Sequence, residues 1–141
     1  MRTDVTFTII KPTAFQNGYT GPIIETITRN GFHLAGMKLV WMSKEQAGLF
    51  YEVHKERPFY NDLVAYMTSG PVLVAALQKK NAVADFRELI GSTDPANAAF
   101  GTIRRMFAES KTANAVHGSD SDENAEREIS LFFGSDELFL K

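Results

Sequence analysis

The chain of 141 residues contains no cysteine and no long hydrophobic run. The absence of cysteine excludes disulfides, thiolate nucleophiles and the zinc or iron–sulfur sites that depend on cysteine ligands. The longest apolar run, residues 72–77, is far too short to cross a membrane, and the polar residues 1–6 are unlike a signal peptide. We therefore expect a cytoplasmic protein that does not associate with membranes.

Neither sign of charge is in large excess, because 15 Lys and Arg face 17 Asp and Glu, for a net charge of -2. Proteins that bind nucleic acid or anionic membranes without specificity depend on a net basic field. No specific nucleic-acid partner is therefore predicted, and any phosphate site must be a local basic cluster.

The hydrophobic content of 44% is typical of a compact soluble protein and excludes intrinsic disorder. This length predicts a single domain over residues 1–141.

Apolar periodicity and turn residues predict alternating strands and helices. Strands are expected near residues 5–10, 33–42, 72–77 and 112–116, and helices after Thr20, after Ser43, over residues 83–90 and after Ser121. On the second strand, the spacing places Ala35, Met37, Leu39 and Trp41 on one face. The order β-α-β-(α)-β-α-β-α has too few parallel strands for a doubly wound sheet. It predicts an α+β fold, a ferredoxin-like βαββαβ antiparallel sheet with helices on one face.

The familiar short motifs for nucleotide and zinc sites are absent. The chain has no G-x-x-x-x-G-K-[ST], no G-x-G-x-x-G and no H-E-x-x-H. A nucleotide would therefore have to bind in another way. The three histidines, His33, His54 and His117, are far apart in sequence, which argues against a dedicated metal site. Residues 91–102 form a turn-rich loop, long enough to indicate a functional reason for it.

His117 stands at the end of the fourth predicted strand, directly before Gly118. Functional side chains are common at such junctions, and a glycine lets a ligand approach the backbone. On the last predicted helix, Glu128 falls on the core-facing stripe, where an unpaired carboxylate is unfavourable. If Glu128 accepts a proton from one ring nitrogen of His117, the other nitrogen is free as a nucleophile. The alternatives are a half-buried structural histidine and a solvated helix acid.

Basic side chains stand near the ends of the predicted elements. Lys11 ends the first strand, and Arg87 shares a helix turn with core residues and projects towards Gly91. Phosphate binding is one explanation for these positions and for Arg104 and Arg105, and ordinary surface charge is the other. Four further residues carry no functional signal alone, namely Tyr51, Phe59, Thr93 and Asn114.

Five segments of the chain together resemble the nucleoside diphosphate kinase family. They are residues 7–12 (FTIIKP), 51–60 (YEVHKERPFY), 66–72 (YMTSGPV), 101–104 (GTIR) and 114–121 (NAVHGSDS). These segments follow the family's order and spacing over nearly the whole chain, and N-x-x-H-G-S-D is the family's active-site signature. The family's ferredoxin-like core agrees with the fold that the sequence pattern predicts.

The resemblance implies a ping-pong transfer of the γ-phosphoryl group from a nucleoside triphosphate, mainly ATP, to His117 and then to a nucleoside diphosphate. It implies that His117 reacts through Nδ1, that Glu128 holds the other nitrogen and that Ser119 orients this carboxylate. It also implies a Mg²⁺ cofactor held mainly by the nucleotide phosphates, with Asp120 acting through water. The implied phosphate ligands are Lys11, Arg87, Thr93 and Arg104. The resemblance also implies that Lys11 and Asn114 bind the sugar 3′-hydroxyl, that Tyr51 lies beside the histidine and that Phe59 stacks on the base.

Two positions depart from the family pattern, Thr13 in place of a usual Asp and Asn124 in place of a common Ser, and neither is a catalytic match.

The resemblance implies a homo-oligomer, in which residues 91–102 usually lie between subunits. We expect a homotetramer, with a hexamer or a dimer as alternatives. A ferredoxin-like module that binds RNA or an effector is a competing interpretation, but the acidic charge and the lack of aromatic residues in 72–77 oppose it. A second competing interpretation is an inactive member of the family. The complete set of matched catalytic positions opposes it.

Overall fold

The computed structural model describes all 141 residues and contains one four-stranded sheet, in which every neighbouring pair of strands is antiparallel. The strand order is β2-β3-β1-β4, which confirms the predicted ferredoxin-like α+β fold. No helix has the length and apolar character that a membrane crossing requires. The elements are β1 (Val5–Ile10), α1 (Pro12–Gln16), α2 (Thr20–Arg29), β2 (His33–Val40), α3 (Lys44–Phe50), α4 (Tyr60–Met67), β3 (Val72–Gln78), α5 (Ala82–Ile90), α6 (Ile103–Phe107), β4 (Val116–Gly118) and α7 (Asp122–Phe132).

Helices cover both faces of the sheet, whereas the sequence predicts helices on one face. Residues of α2 and α5, such as Ile27 and Phe86, pack with Ile10 on one face. Residues of α3, α4 and α7, such as Phe50, pack with Phe7 on the other face. The physical reason is visible in β1 and β3, whose residues are buried without alternation, because a central strand that is apolar on both sides needs two covering layers.

The second strand, β2, is an edge strand, and the four residues that the spacing places on one face are not buried alike. Ala35 lies in the core, but Met37, Leu39 and Trp41 are exposed. The pairing of β2 with β3 shifts between Leu34 and Gly36, so the alternation of inward and outward side chains changes there. The strict alternation that the spacing predicts is therefore interrupted next to Ala35.

The fourth strand begins later than the sequence predicts, at Val116 rather than Thr112. The residue before it, Ala115, has a left-handed backbone with φ 74°. The carbonyl of Ala115 accepts a 2.8 Å hydrogen bond from the backbone N–H of Lys11, so the turn is held against the end of β1. This arrangement brings the start of β4 beside Lys11.

Candidate active site

His117 lies in β4, opposite Ile9 of β1, and its ring emerges on the face covered by α3 and α7. The edge-on ring of Phe50 has its centroid 4.9 Å away, and the ring of Phe7 lies 6.1 Å away. The side chain remains 19% exposed, so one edge of the imidazole is accessible. The next residue, Gly118, is buried, and a Cβ there would lie 2.9 Å from Ile90. This glycine therefore permits close packing of α5 on β4, rather than the ligand access that the sequence suggests.

Glu128 of α7 holds one nitrogen of this imidazole. Its Oε1 lies 2.8 Å from His117 Nε2, and the carboxylate is almost fully buried. The hydroxyl of Ser119 donates to the same oxygen at 2.7 Å, and the backbone N–H of Phe7 donates to that hydroxyl at 3.1 Å. The N-cap of α7 fixes this geometry, because Ser121 Oγ accepts from the backbone of Asn124. Since Nε2 is engaged, Nδ1 is the free ring nitrogen.

A cleft of about 320 Å³ opens beside His117 and brings together five of the predicted site residues. Three of them come from distant parts of the chain, because Lys11 follows β1, Phe59 precedes α4 and Asn114 precedes β4. The lining residues are Lys11, Tyr51, Phe59, Asp62, Leu63, Lys111, Thr112, Asn114 and His117. The size and the mixed lining of the cleft fit a small polar ligand with an apolar part.

Lys11 supplies a buried cation at the inner end of the cleft. Its Nζ donates a 2.8 Å hydrogen bond to Asn114 Oδ1, and both side chains are buried. Burial, and to a smaller degree the neighbouring charge of Arg104, lower the pKa of Lys11 to about 7. An anion that enters the cleft would relieve both effects, so the site is electrostatically suited to a phosphate.

Arg104 lies half-buried on α6 and is oriented by two backbone carbonyls. Its Nη1 donates to Gly91 O at 2.9 Å and its Nη2 donates to Val116 O at 3.0 Å, whereas its buried Nε has no partner. Burial, and then the charge of Arg87, lower the pKa of Arg104 to about 10. Three cations are therefore close enough to repel one another, and an unpaired buried donor remains among them.

The other predicted residues lie around this centre. Arg87 is exposed on α5, and Thr93 is exposed in the loop that follows α5. Tyr51 is buried beside Glu128, its hydroxyl has no hydrogen-bond partner, and burial, followed by the charge of Glu128, raises the pKa of Tyr51. Asp120 is exposed and accepts a 2.6 Å bond from the Asn124 amide. None of these four lines the cleft except Tyr51.

The sequence does not predict a ligand role for three residues at or beside the cleft. His54 lies with its ring centroid 5.6 Å from that of Phe59 and 6.4 Å from that of Tyr51. Asp62 and Lys111 line the cleft itself. The signal for His54 in the sequence is that it belongs to the same segment as Tyr51 and Phe59. Charged surface residues such as Asp62 and Lys111 have no comparable signal.

Comparison with known proteins decides the family. The sequence model described as "Nucleoside diphosphate kinase" matches residues 4–138. The chain belongs to the nucleoside diphosphate kinase family. A nucleoside diphosphate kinase from a Nitratiruptor species is 58% identical over 133 residues, which are 94% of this chain and 97% of that protein. The nucleoside diphosphate kinase of Flavobacterium psychrophilum is 54% identical over 139 residues, 99% of this chain and 100% of that protein.

Solved structures of nucleoside diphosphate kinases share the fold closely. The structure from Aquifex aeolicus has a TM-score of 0.94 and 40% sequence identity, and covers 96% of this chain and 98% of its own. The structure from Halobacterium salinarum, determined in complex with CDP, has a TM-score of 0.93 and 36% identity, and covers 99% of this chain and 93% of its own. The similarity to the nucleoside diphosphate kinase fold thus extends over the whole sheet and all the elements that carry the site.

Proposed function

We propose that this chain catalyses the transfer of the γ-phosphoryl group of a nucleoside triphosphate, mainly ATP, to a ribo- or deoxyribonucleoside diphosphate through a phosphohistidine at His117. GTP, UTP and CTP are the expected products with the corresponding acceptors. The observation that carries this proposal is the 2.8 Å contact between His117 Nε2 and Glu128 Oε1, which leaves Nδ1 as the nucleophile at the cleft. The whole chain is proposed to act as one domain.

In the first half-reaction, the Nδ1 lone pair of His117 attacks the γ-phosphorus. The N–P bond forms as the bond between phosphorus and the β,γ-bridging oxygen breaks, and the nucleoside diphosphate leaves with that electron pair. The imidazole becomes cationic, and the Glu128 carboxylate, which accepts from Nε2–H, stabilises this charge. In the second half-reaction, a β-phosphate oxygen of an acceptor diphosphate attacks the same phosphorus. The N–P bond breaks with its electron pair returning to Nδ1, which regenerates neutral His117.

Cations around the cleft stabilise the charge that spreads over the transferring group. The transition state of phosphoryl transfer is loose, so positioning and electrostatic stabilisation provide most of the catalysis. Lys11, Arg87 and Arg104 supply positive charge, with Thr93 as a further phosphate ligand. Lys11 and Asn114 are already joined by a 2.8 Å hydrogen bond, and this pair is proposed to bind the sugar 3′-hydroxyl.

The base is proposed to stack on Phe59, whose ring is 46% exposed at the cleft. Stacking accepts every base, because every base has a π-face. We therefore propose broad acceptance of nucleotides. His54 lies beside this ring, and Tyr51 lies beside His54.

Mg²⁺ is the proposed cofactor, bound mainly by the nucleotide. The chain has no group of three or more His, Cys, Asp or Glu side chains arranged to hold a metal, whereas Asp120 offers one exposed carboxylate near His117. This donor set fits Mg²⁺, which usually keeps several waters and takes one or two carboxylates together with phosphates. When bound, the ion would neutralise phosphate charge, and Asp120 would contact it through water.

A homotetramer is the proposed assembly, with a hexamer or a dimer as alternatives. Large apolar side chains are exposed on the single chain, above all Phe100, which is 91% exposed in the loop that follows α5. Such side chains are commonly covered by a partner. Measurement of the native mass in solution tests this proposal.

The intact mass of the protein after incubation with ATP and Mg²⁺ tests the proposed reaction. A single phosphoryl adduct is expected, labile in acid, removed by GDP and absent from a His117→Ala variant. Nucleotide binding without an adduct would contradict the kinase activity and indicate a binding protein.

A further inference from the structure

The hydroxyl of Tyr66 on α4 is joined to the first turn of α1 by two hydrogen bonds. It accepts a 3.3 Å bond from the backbone N–H of Thr13 and donates a 2.8 Å bond to Thr13 Oγ1. Thr13 is also one of the two positions at which this chain departs from the family pattern. Tyr66 packs against the core and does not line the cleft, so a nucleotide in the cleft would not touch it.

The contact compensates for the residue at which α1 begins. The first backbone N–H groups of a helix have no partner within the helix, and an N-cap Ser, Thr, Asp or Asn side chain usually accepts from one of them. The N-cap of α1 is Lys11, whose ammonium group can only donate and whose side chain makes no capping bond. Its Nζ instead donates to Asn114 in the cleft. Tyr66 therefore supplies, from another helix, the oxygen that this N-cap lacks.

The two bonds also join two walls of the cleft that come from different parts of the chain. One wall is α4, whose N-cap Phe59 and whose Leu63 line the cleft, and Tyr66 follows at the next helical spacing. The other wall is the turn between β1 and α1, from which Lys11 lines the cleft. Thr13 belongs to the first turn of α1, directly after Lys11 and Pro12. The bonds thus fix the separation between Phe59 and Lys11.

Lys11 does not depend on Tyr66 for its own position. Its backbone N–H donates to Ala115 O at 2.8 Å, and its Nζ donates to Asn114 Oδ1 at 2.8 Å, so the turn before β4 holds it. Loss of the Tyr66 hydroxyl would therefore release α4 rather than Lys11. A nucleotide that contacts Phe59 through its base and Lys11 through its phosphates would join the two walls itself once it is bound.

We propose that Tyr66 is a positioning residue, whose hydroxyl holds α4 at the separation from Lys11 that a bound nucleotide requires. The inference rests on the proposed kinase function. Without the hydroxyl, only a fraction of the free enzyme has the two walls at this separation, so the apparent affinity for nucleotides falls by that fraction. The limiting rate of transfer stays the same, because the bound nucleotide restores the separation before the reaction. The expected loss of affinity is about three- to tenfold, which is typical of one neutral hydrogen bond.

The experiment follows the discharge of a preformed phosphoenzyme in single turnovers at increasing concentrations of ADP or GDP. The phosphoenzyme is prepared with ATP and Mg²⁺ and freed of nucleotide before the acceptor is added. The half-saturating concentration reports the affinity for the acceptor, and the plateau reports the limiting rate. Inorganic pyrophosphate is tested as a competitor, because it carries phosphates for Lys11 but neither sugar nor base for the α4 wall.

Tyr66→Phe removes the hydroxyl and keeps the ring. Tyr60→Phe is the matched control, since Tyr60 lies on the same helix and packs against the same core but does not line the cleft. Thr13→Val removes the oxygen that accepts from Tyr66 at nearly constant shape, and Thr13→Ser keeps this oxygen. These two variants test the same contact from α1, with Tyr66 unchanged.

Tyr66→Phe is expected to raise the half-saturating concentrations of ADP and GDP alike by about three- to tenfold, with the plateau rate and the inhibition by pyrophosphate within about twofold of wild type. Thr13→Val is expected to change the affinity in the same direction but less, because the bond from the Thr13 backbone remains. Thr13→Ser and Tyr60→Phe are expected to behave as the wild type.

Unchanged affinity for both diphosphates in Tyr66→Phe, even with a lower free energy of unfolding, would make the contact purely structural and overturn the proposal. A fall in the plateau rate alone, an equal loss of affinity in Tyr60→Phe, or an equal loss of inhibition by pyrophosphate would also overturn it. These results leave the kinase function intact, because the wild-type phosphoenzyme has then already formed and discharged. Failure of the wild type to form any phosphoenzyme would instead refute the proposed function.

Discussion

The imidazole of His117 and the carboxylate of Glu128 meet between β4 and α7, with Nε2 and Oε1 2.8 Å apart. The carboxylate is nearly buried and also accepts from the Ser119 hydroxyl, so it has little freedom to move away from the ring. An imidazole held in this way keeps its tautomer and its direction through both half-reactions.

Replacement of His117 by Ala is expected to abolish phosphoryl exchange, because the variant has no nucleophile. Replacement of Glu128 by Ala is expected to leave a slower enzyme, with kcat lower by about tenfold to a hundredfold, since the imidazole remains but is no longer oriented. A coupled assay with ATP and a diphosphate measures both rates. His33→Asn is the control, as this histidine bonds to Phe139 at the other end of the sheet. Near-wild-type rates for both site variants would contradict the mechanism.

Ser119→Ala is expected to lower the free energy of unfolding by about 1–3 kcal/mol, because it leaves buried hydrogen-bonding groups unpaired. The Ser119 hydroxyl accepts from the Phe7 backbone and donates to Glu128. Chemical denaturation measures the change. Ser130→Ala on the exposed side of α7 is the matched control, with an expected change below about 0.5 kcal/mol. Equal stability of the two variants would show that the Ser119 bonds contribute nothing.

Phe59→Ala is expected to raise KM for all nucleotides by about five- to a hundredfold, which corresponds to a stacking contribution of about 1–3 kcal/mol. The relative preference among bases should stay the same, because an aromatic face does not distinguish them. Steady-state kinetics with four diphosphates provide the measurement. Phe139→Ala, at an exposed ring near the C-terminus, is the control. A change in the order of the bases would contradict simple stacking.

The pKa of Lys11, lowered to about 7, predicts how stability depends on pH. Between about pH 7 and 10 the unfolded chain binds the lysine proton and the folded protein does not, so the free energy of unfolding rises with pH. The slope approaches about 1.4 kcal/mol per pH unit in this window. Lys11→Met should remove this slope, as measured by denaturation at several pH values. A wild-type stability that stays flat or falls from pH 7 to 9, relative to the variant, would contradict the buried charge.

Ala115→Gly is expected to change the free energy of unfolding by less than about 1 kcal/mol, because relief of its left-handed strain is offset by the loss of a methyl group buried in the core. Ala115 has φ 74°, a left-handed conformation that glycine adopts without steric cost. Ala113→Gly, two residues earlier and without a positive φ, should be destabilising, since it only adds freedom to the unfolded chain. Thermal or chemical unfolding of both variants tests the difference. A loss of stability for Ala115→Gly well above that for Ala113→Gly would contradict strain at Ala115.

The sequence predicts the presence of helices and strands better than the residues at which they begin and end or the elements against which they pack. The alternation at Val5 to Ile10 and the capping residue Ser121 indicate a strand and a helix, and both are present. Short α1 and α6 were not predicted. Pro12 indicates the end of a strand, although proline equally suits the first turn of a helix. The start of β4 depends on the backbone of Ala115, which no periodicity reveals.

The resemblance predicts five residues of the cleft, whereas their interactions require the structure. The stripe of α7 suggested that Glu128 meets His117, because both lie near the core in a short stretch of chain. The bond between Lys11 and Asn114 joins residues 103 apart, and no local pattern predicts it. Asp62 and Lys111 are ordinary surface charges in sequence, and only the fold brings them to one cleft.

The site joins the two ends of the chain, which has a consequence for biosynthesis. Phe7 and Ser119 are 112 residues apart, and Lys11 and Asn114 are 103 residues apart. The site therefore forms only after β4 and α7 have been synthesised and have packed against β1. Contacts over such separations form late and slow the folding of a domain. A nascent chain on the ribosome therefore carries no phosphate acceptor until its last segment has emerged, and it cannot exchange phosphate while still incomplete.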